Sequence, residues 1–183
     1  DELQALQAQG VVGVAFNVAL LGVDHYRDTG PLLERLRALD LWAQVQVEGD
    51  QLCDLHGLLR DSGVRLLFNH GGRPRPADGA HQSGFEALLA FAGTGRAAVK
   101  LSGWAKVSQQ PFPHADVMPY ARALLQAYTP QALVWASDWP FLRAPARIDY
   151  GPLLDLLAQQ VPDEAARRAI LWDTPRRLFN FKE

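Results

Sequence analysis

The feature that most constrains this chain is a regular alternation of short apolar runs with longer segments of helical periodicity. The apolar runs have the length and composition of β-strands, and they are residues 11–17, 42–48, 64–70, 97–102 and 132–138. Helical patterns lie between them at residues 30–40, 50–63, 83–93 and 114–128, and a helical tail follows the last run. This alternation predicts an α/β architecture with a parallel sheet and right-handed crossovers. Because no linker or low-complexity stretch interrupts it, residues 1–183 are predicted to form a single domain.

The balance of charge and the absence of long apolar runs narrow the classes of partner. The chain has 18 Lys and Arg residues against 20 Asp and Glu residues, so it lacks the cation excess that nucleic-acid binding requires. No apolar run reaches the length of a membrane span. The one cysteine, Cys53, lies in a leucine-rich helical pattern and is expected to be buried and reduced. The expected reduced cysteine and the lack of a signal-peptide pattern predict a cytoplasmic protein. The lack of a cation excess and of a membrane span favours a small molecule as its partner.

Each predicted strand changes from apolar to polar at its carboxyl end. The five residues at these ends are Asn17, Glu48, His70, Ser102 and Asp138. In parallel α/β folds, ligand-binding and catalytic residues gather at this edge of the sheet. A strand that ends in a turn-forming polar residue needs no functional explanation, and that structural interpretation is sufficient for Asn17 and Ser102.

His70 and Asp138 carry a more specific pattern. His70 precedes two glycines that allow a ligand to approach the backbone, and Arg73 follows in the same loop. Asp138 lies near Trp135 and next to Trp139, which would exclude solvent from it. An Asp can accept a proton from water, a neutral His can donate to a carbonyl oxygen or bind a metal, and an Arg can hold a carboxylate. Alone, each residue has an equally good structural interpretation, but together they predict a site that activates water and polarises a carbonyl.

Two lysines flank the segment LSGWA. Lys106 follows the fourth predicted strand by four residues and can reach a substrate anion, although a solvated loop lysine fits the pattern at least as well. Lys100 lies inside the strand on the face opposite Leu101, where it is either a surface lysine or a charge partner inside the sheet. A serine hydrolase is disfavoured, because Ser102 and Ser137 lie outside any G-x-S-x-G motif.

Four segments, taken in order, resemble the second half of the amidohydrolase-related family. They are NHGGRP (69–74), VKLSG (99–103), LVWASDWPF (133–141) and DTPRRLFNF (173–181). They are similar to the stretches D-H-x-G-R-P, K-x-S-G, W-G-[ST]-D-W-P and R-x-L-[FY]-x-F of the 2-pyrone-4,6-dicarboxylate lactonase branch. The resemblance covers nearly the whole chain. It implies a (β/α)₈ TIM barrel, of which this chain would supply about five carboxyl-terminal βα units.

The resemblance also implies an activity and roles for individual residues. It implies a hydrolase of a lactone or related carbonyl compound, with Asp138 activating water and His70 polarising the carbonyl. Arg73, Lys106 and Trp139 are then expected to bind substrate. Related branches bind a divalent metal such as zinc at this edge, with His70 and Asp138 as ligands, whereas the pyrone lactonase branch works without a metal. The alternative within the superfamily is a metal-dependent decarboxylase.

Two departures from the family pattern bear on the substrate and on the completeness of the barrel. Ala15 and Lys106 stand where the family has arginines, so a less anionic lactone or ester fits as well as a dicarboxylate. The chain has no H-x-H motif, which in the family ends the first strand. Three βα units then lack a counterpart, and an open barrel would expose a strand edge and an apolar interior.

We therefore expect a fragment of a longer chain, or else a chain that pairs with another copy as a homo-oligomer. The first ten residues support a fragment, because they resemble the end of a helix that includes Asp1 and stops at Gly10. The competing interpretation is a non-catalytic barrel fragment that acts as a binding or assembly partner.

Overall fold

The computed structural model describes residues 2–79, 81–146 and 148–181. Five parallel strands form one sheet in which the spatial order follows the sequence. They are β1 (Gly13–Asn17), β2 (Trp42–Gln46), β3 (Arg65–Phe68), β4 (Ala97–Leu101) and β5 (Leu133–Trp135). Each strand pairs with the next one along the chain, in a register that places Val45 beside Phe68 and Leu101 beside Trp135. The predicted α/β architecture with a parallel sheet is confirmed.

Ten α-helices surround or connect the strands of the described chain. They are α1 (Glu2–Ala8), α2 (Val18–Leu21), α3 (Gly30–Ala38), α4 (Gln51–Ser62), α5 (Ser83–Ala90), α6 (Trp104–Val107), α7 (Met118–Tyr128), α8 (Tyr150–Gln160), α9 (Glu164–Arg168) and α10 (Thr174–Phe179). A π-helical turn, Ala169–Asp173, joins the last two. The helix expected at the start of the chain is present as α1, whereas Asp1 lies outside the described residues.

Local sequence signals explain where the main helices begin and end. Pro31 and Pro119 lie in the first turns of α3 and α7, where a missing backbone N–H costs no helical hydrogen bond. Gly63 ends α4 in the left-handed conformation, with φ of 68°. On α4 the buried face belongs to Leu52, Leu55 and Leu59. Because Cys53 lies on the other side of that helix, it is exposed, and the prediction of a buried cysteine is wrong.

The two faces of the sheet are covered differently. The helix-covered face holds the larger core, which includes Phe16, Val45, Phe68, Val99 and Leu133. On the opposite face, buried side chains form a second cluster beneath α10. This cluster includes Trp42, Leu67, Ala98, Val134 and Leu178. Trp42 Nε1 donates a hydrogen bond to the Leu178 carbonyl oxygen over 3.1 Å, which ties α10 to this face.

Next to the second cluster, the same face of the sheet remains open. A concavity of about 730 Å³ is lined there by residues that include Ala15, Gln44, Lys100 and Phe181. Within residues 2–79, 81–146 and 148–181, β1 and β5 each pair with one neighbouring strand, so both outer strands have a free edge. None of the described helices combines the length and the apolar character that crossing a membrane requires.

Candidate active site

The loops that follow β3, β4 and β5 bring four polar side chains together at the carboxyl edge of the sheet. His70 Nδ1 lies 2.9 Å from Ser102 Oγ, and His70 Nε2 lies 3.6 Å from Asp138 Oδ1. The other carboxylate oxygen of Asp138, Oδ2, lies 2.7 Å from Lys106 Nζ. Since β3, β4 and β5 are consecutive in the sheet, residues far apart in sequence leave it at neighbouring points. The structure thus brings together His70 and Asp138, as the pattern at the strand ends predicts, and adds Lys106 to them.

His70 and Asp138 lie beyond the strands rather than at their last residues, which corrects the predicted strand ends. β4 ends at Leu101, which pairs with Trp135, so the backbone after Trp135 has no ladder to continue. His70 and Asp138 have φ angles of 54° and 62°. Residues other than glycine rarely adopt this left-handed backbone conformation, and where they do, they are often at functional sites.

Burial controls the protonation of His70. The His70 side chain is only 16% exposed. The pKa of the imidazole is lowered to about 4, and the largest cause is the loss of solvent on burial. The Asp138 carboxylate opposes this shift, while the nearby charges of Lys100, Arg73 and Lys106 add to it. At neutral pH the imidazole is therefore uncharged, so it can donate one hydrogen bond and accept another.

Lys106 faces Asp138 and is not a solvated loop lysine. It lies on the short helix α6, and both side chains of the ion pair are mostly buried, with exposures of 18% and 19%. The helix begins directly after Gly103, whose φ is 70°. A Cβ at Gly103 would lie 2.8 Å from His70 Nδ1, so this position requires glycine both for its conformation and for the space beside His70.

Lys100 lies on the open face of the sheet. Of its two predicted placements, at the protein surface or inside the sheet, the structure shows the one inside. Its Nζ donates a hydrogen bond to Gln44 Oε1 over 3.0 Å. Burial lowers the pKa of this lysine, and the charge of Asp138 opposes the shift. Gln44 carries no charge, so the ammonium group of Lys100 can meet an anion in the concavity. The strand pattern left both placements of Lys100 open, and no sequence signal separates them.

Two other predicted substrate-binding residues have surroundings that the sequence did not reveal. Arg73 Nη1 lies 3.2 Å from Glu48 Oε2, so its guanidinium already meets a carboxylate. Trp139 is 75% exposed, and the expectation that it excludes solvent from Asp138 is wrong for the described residues. Leu142 in the same loop is 70% exposed. Roles for Arg73 and Trp139 in substrate binding stay predictions.

The described residues do not fit a divalent metal by themselves. His70 and Asp138 offer two ligands, whereas protein zinc sites have three or four. Residues 2–79, 81–146 and 148–181 hold no group of three or more His, Cys, Asp or Glu side chains arranged to bind a metal. Lys106 also holds one Asp138 oxygen, and its charge opposes a second cation.

Comparison with known proteins relates this site to a family. Residues 1–181 match the sequence model of a family described as "Amidohydrolase". The 4-sulfomuconolactone hydrolase of Rhizobium radiobacter is 36% identical over 185 residues, which cover 97% of this chain and 61% of that protein. The D-galactarolactone isomerase of Agrobacterium fabrum is 29% identical over 181 residues, which cover 97% of this chain and 62% of that protein.

Structural comparison agrees over the whole chain. A candidate 2-pyrone-4,6-dicarboxylic acid hydrolase from Pseudomonas putida superposes with a TM-score of 0.86 at 29% identity. The match covers 100% of this chain and 68% of that one. This chain therefore spans about three fifths of the length of the two curated relatives.

Proposed function

The chain belongs to the amidohydrolase family, and on that basis we propose that it is part of an enzyme that hydrolyses a lactone. Relatives named as lactone-converting enzymes, at 36% and 29% identity, support this class of substrate. The five-stranded parallel sheet, with free edges on its outer strands, is proposed to be the carboxyl-terminal part of a (β/α)₈ barrel. Three further strands would then close the barrel over the concavity.

One observation carries the proposal of catalysis. A neutral imidazole and a carboxylate face each other across 3.6 Å at the edge of the sheet where α/β enzymes act. The carboxylate can accept a proton and the imidazole can donate one. Lys106 balances the charge of Asp138 and fixes the orientation of the carboxylate by holding Oδ2, which leaves Oδ1 toward His70.

The chemistry follows from these two groups. Asp138 accepts a proton from a water molecule, and the water oxygen attacks the carbonyl carbon of the lactone. His70 donates a hydrogen bond from Nε2 to the carbonyl oxygen and stabilises the negative charge that develops there. The tetrahedral intermediate then breaks the ring C–O bond. The protonated Asp138 returns its proton to the departing ring oxygen, so the product is a hydroxy acid and the enzyme is regenerated.

The cations around the site indicate an anionic substrate with few charges. Arg73 and Lys106 are proposed to contact a substrate anion or the departing oxygen, but each also meets a carboxylate of the chain. Lys100 is a third cation near the site, and it lines the concavity. Ala15 lines the same concavity and carries no charge. These surroundings favour a lactone that carries one anionic group over one that carries two.

The test is a panel of lactones with no, one or two carboxylates, incubated in H₂¹⁸O with the natural full-length chain that contains these residues. Ring opening is followed with a pH indicator, and the products are analysed by mass spectrometry. Hydrolysis predicts one ¹⁸O atom in the product acid and the fastest turnover for the singly charged lactone.

The alternatives give different products. A rearranged lactone without ¹⁸O would indicate an isomerase, and zinc-dependent release of CO₂ from a carboxylated substrate would indicate the decarboxylase. If a folded protein converts no substrate at all, the non-catalytic interpretation is favoured instead.

A further inference from the structure

We propose that Ser102 is a positioning residue that donates a hydrogen bond to His70 Nδ1 and so, together with Asp138, holds the ring with its proton on Nε2. His70 then presents an N–H donor to the reaction centre. The catalytic consequence rests on the proposed lactone hydrolysis, whereas the position of the proton does not. Ser102 directly follows β4 and is 3% exposed, so water does not compete freely for its hydroxyl group.

The contact between Ser102 and His70 allows two arrangements. Over the 2.9 Å between Oγ and Nδ1, either the hydroxyl donates to a bare Nδ1 or a protonated Nδ1 donates to the hydroxyl. A neutral imidazole carries one ring proton, so the first arrangement places that proton on Nε2 and the second leaves Nε2 bare. The hydroxyl group can rotate to suit either one. The choice therefore depends on what Nε2 faces.

Asp138 decides between the two arrangements. Nε2 lies 3.6 Å from Asp138 Oδ1. A bare Nε2 would direct its lone pair at a carboxylate in a mostly buried site, which is repulsive, whereas a protonated Nε2 is attracted to it. The distance is longer than a good hydrogen bond, so the proton on Nε2 is still available to an incoming carbonyl oxygen.

Packing keeps the imidazole in the orientation that this choice requires. Gly103 lies against the ring so closely that an added Cβ would come within 2.9 Å of both His70 Cβ and His70 Cγ. His70 itself has a left-handed backbone with φ of 54°. Gly103 and the backbone thus restrict where the ring can lie, while Asp138 favours the proton on Nε2 and the Ser102 hydroxyl is the partner of the bare Nδ1.

The position of the proton has a consequence for the type of chemistry. A ring nitrogen that carries a proton is a hydrogen-bond donor, and it has no lone pair for a metal ion. With Ser102 in place, His70 is prepared to polarise a carbonyl directly. This agrees with a donor set that does not fit a metal among the described residues.

Nuclear magnetic resonance tests the proton position without any need for enzyme activity. In the protein labelled with ¹⁵N-histidine, protonated and bare ring nitrogens give well-separated signals. At neutral pH we expect His70 to show a protonated Nε2 and a bare Nδ1. In Ser102→Ala the bare Nδ1 loses its hydrogen bond, so its signal should move toward that of a free ring nitrogen, and Ser102→Thr, which keeps the hydroxyl, should restore the original signal. A wild-type His70 protonated on Nδ1 would overturn the proposal, and so would an unchanged Nδ1 signal in folded Ser102→Ala.

Kinetics of the natural full-length chain then test the catalytic consequence. Ser102→Ala should lower kcat about tenfold, the worth of one hydrogen bond, with little change in KM. Ser102→Thr should recover most of the loss. An unchanged kcat alongside a shifted Nδ1 signal would remove Ser102 from catalysis. If the wild type hydrolyses no lactone, the proposed function fails while the tautomer result still stands or falls by itself.

Discussion

Acidification from pH 7 to pH 4.5 should remove the stability that this chain retains by keeping His70 neutral. The native structure buries the imidazole and lowers its pKa from 6.5 to about 4. Between those two values the unfolded chain binds a proton at His70 that the native chain does not. Stability therefore rises with pH across this window and is lost as the pH falls through it.

The size of the effect follows from the two pKa values. The linkage relation gives a loss of about 2 kcal/mol between pH 7 and pH 4.5 from this residue alone. The side chain is only 16% exposed, so solvent screening reduces this figure little. For a domain of this size, 2 kcal/mol is a large share of the total stability.

Urea denaturation at the two pH values measures the loss, and His70→Asn provides the comparison. Asn has no titratable group, so the variant should lose about 2 kcal/mol less than the wild type over the same pH range. His81→Asn is the matched control, because that side chain is 96% exposed and its replacement should leave the wild-type loss unchanged. If wild type and His70→Asn lose the same stability, His70 is not held neutral by burial.

Substitutions at two positions test the packing and the ion pair at the site, all by urea denaturation at pH 7. Gly103→Ala should cost more than about 2 kcal/mol, because its φ is 70° and its Cβ would lie 2.8 Å from His70 Nδ1; a loss below 1 kcal/mol would contradict the close packing. Lys106→Met should cost about 2 kcal/mol, because Asp138 would remain mostly buried without its partner, and Lys106→Arg should cost clearly less; equal losses would show that the charge is irrelevant.

The sequence predicted the order and type of the main elements, because the periodicities of strands and helices are local properties. It placed the strand ends less well. Whether a residue such as Asp138 belongs to a strand depends on whether the neighbouring strand still offers a partner, and β4 stops at Leu101, opposite Trp135. The prediction that Cys53 is buried was wrong for a similar reason. A helical pattern does not determine which face of the helix the core covers.

The sequence predicted that His70 and Asp138 lie near each other, but not the contacts that they make. His70 and Asp138 stand out as polar residues after apolar runs, and consecutive parallel strands bring them together. The pairing of Lys106 with Asp138 and of Arg73 with Glu48 joins residues 32 and 25 positions apart, which no local pattern records. The prediction that Trp139 excludes solvent from Asp138 was wrong because an aromatic residue next to Asp138 in sequence need not be buried against it. Ser102 was assigned a turn role because its contact with His70 appears only in the fold.

The central claim is that Asp138 activates the water that opens a lactone. The most direct measurement is kcat/KM for the best lactone with the natural full-length chain and its Asp138→Asn variant. Asp155→Asn, an exposed substitution on α8, serves as the control. We predict that Asp138→Asn lowers kcat/KM by about 10²–10⁴-fold while the circular dichroism spectrum stays unchanged, and that the control keeps full activity. A folded Asp138→Asn enzyme that turns over within a few-fold of the wild type would contradict the account.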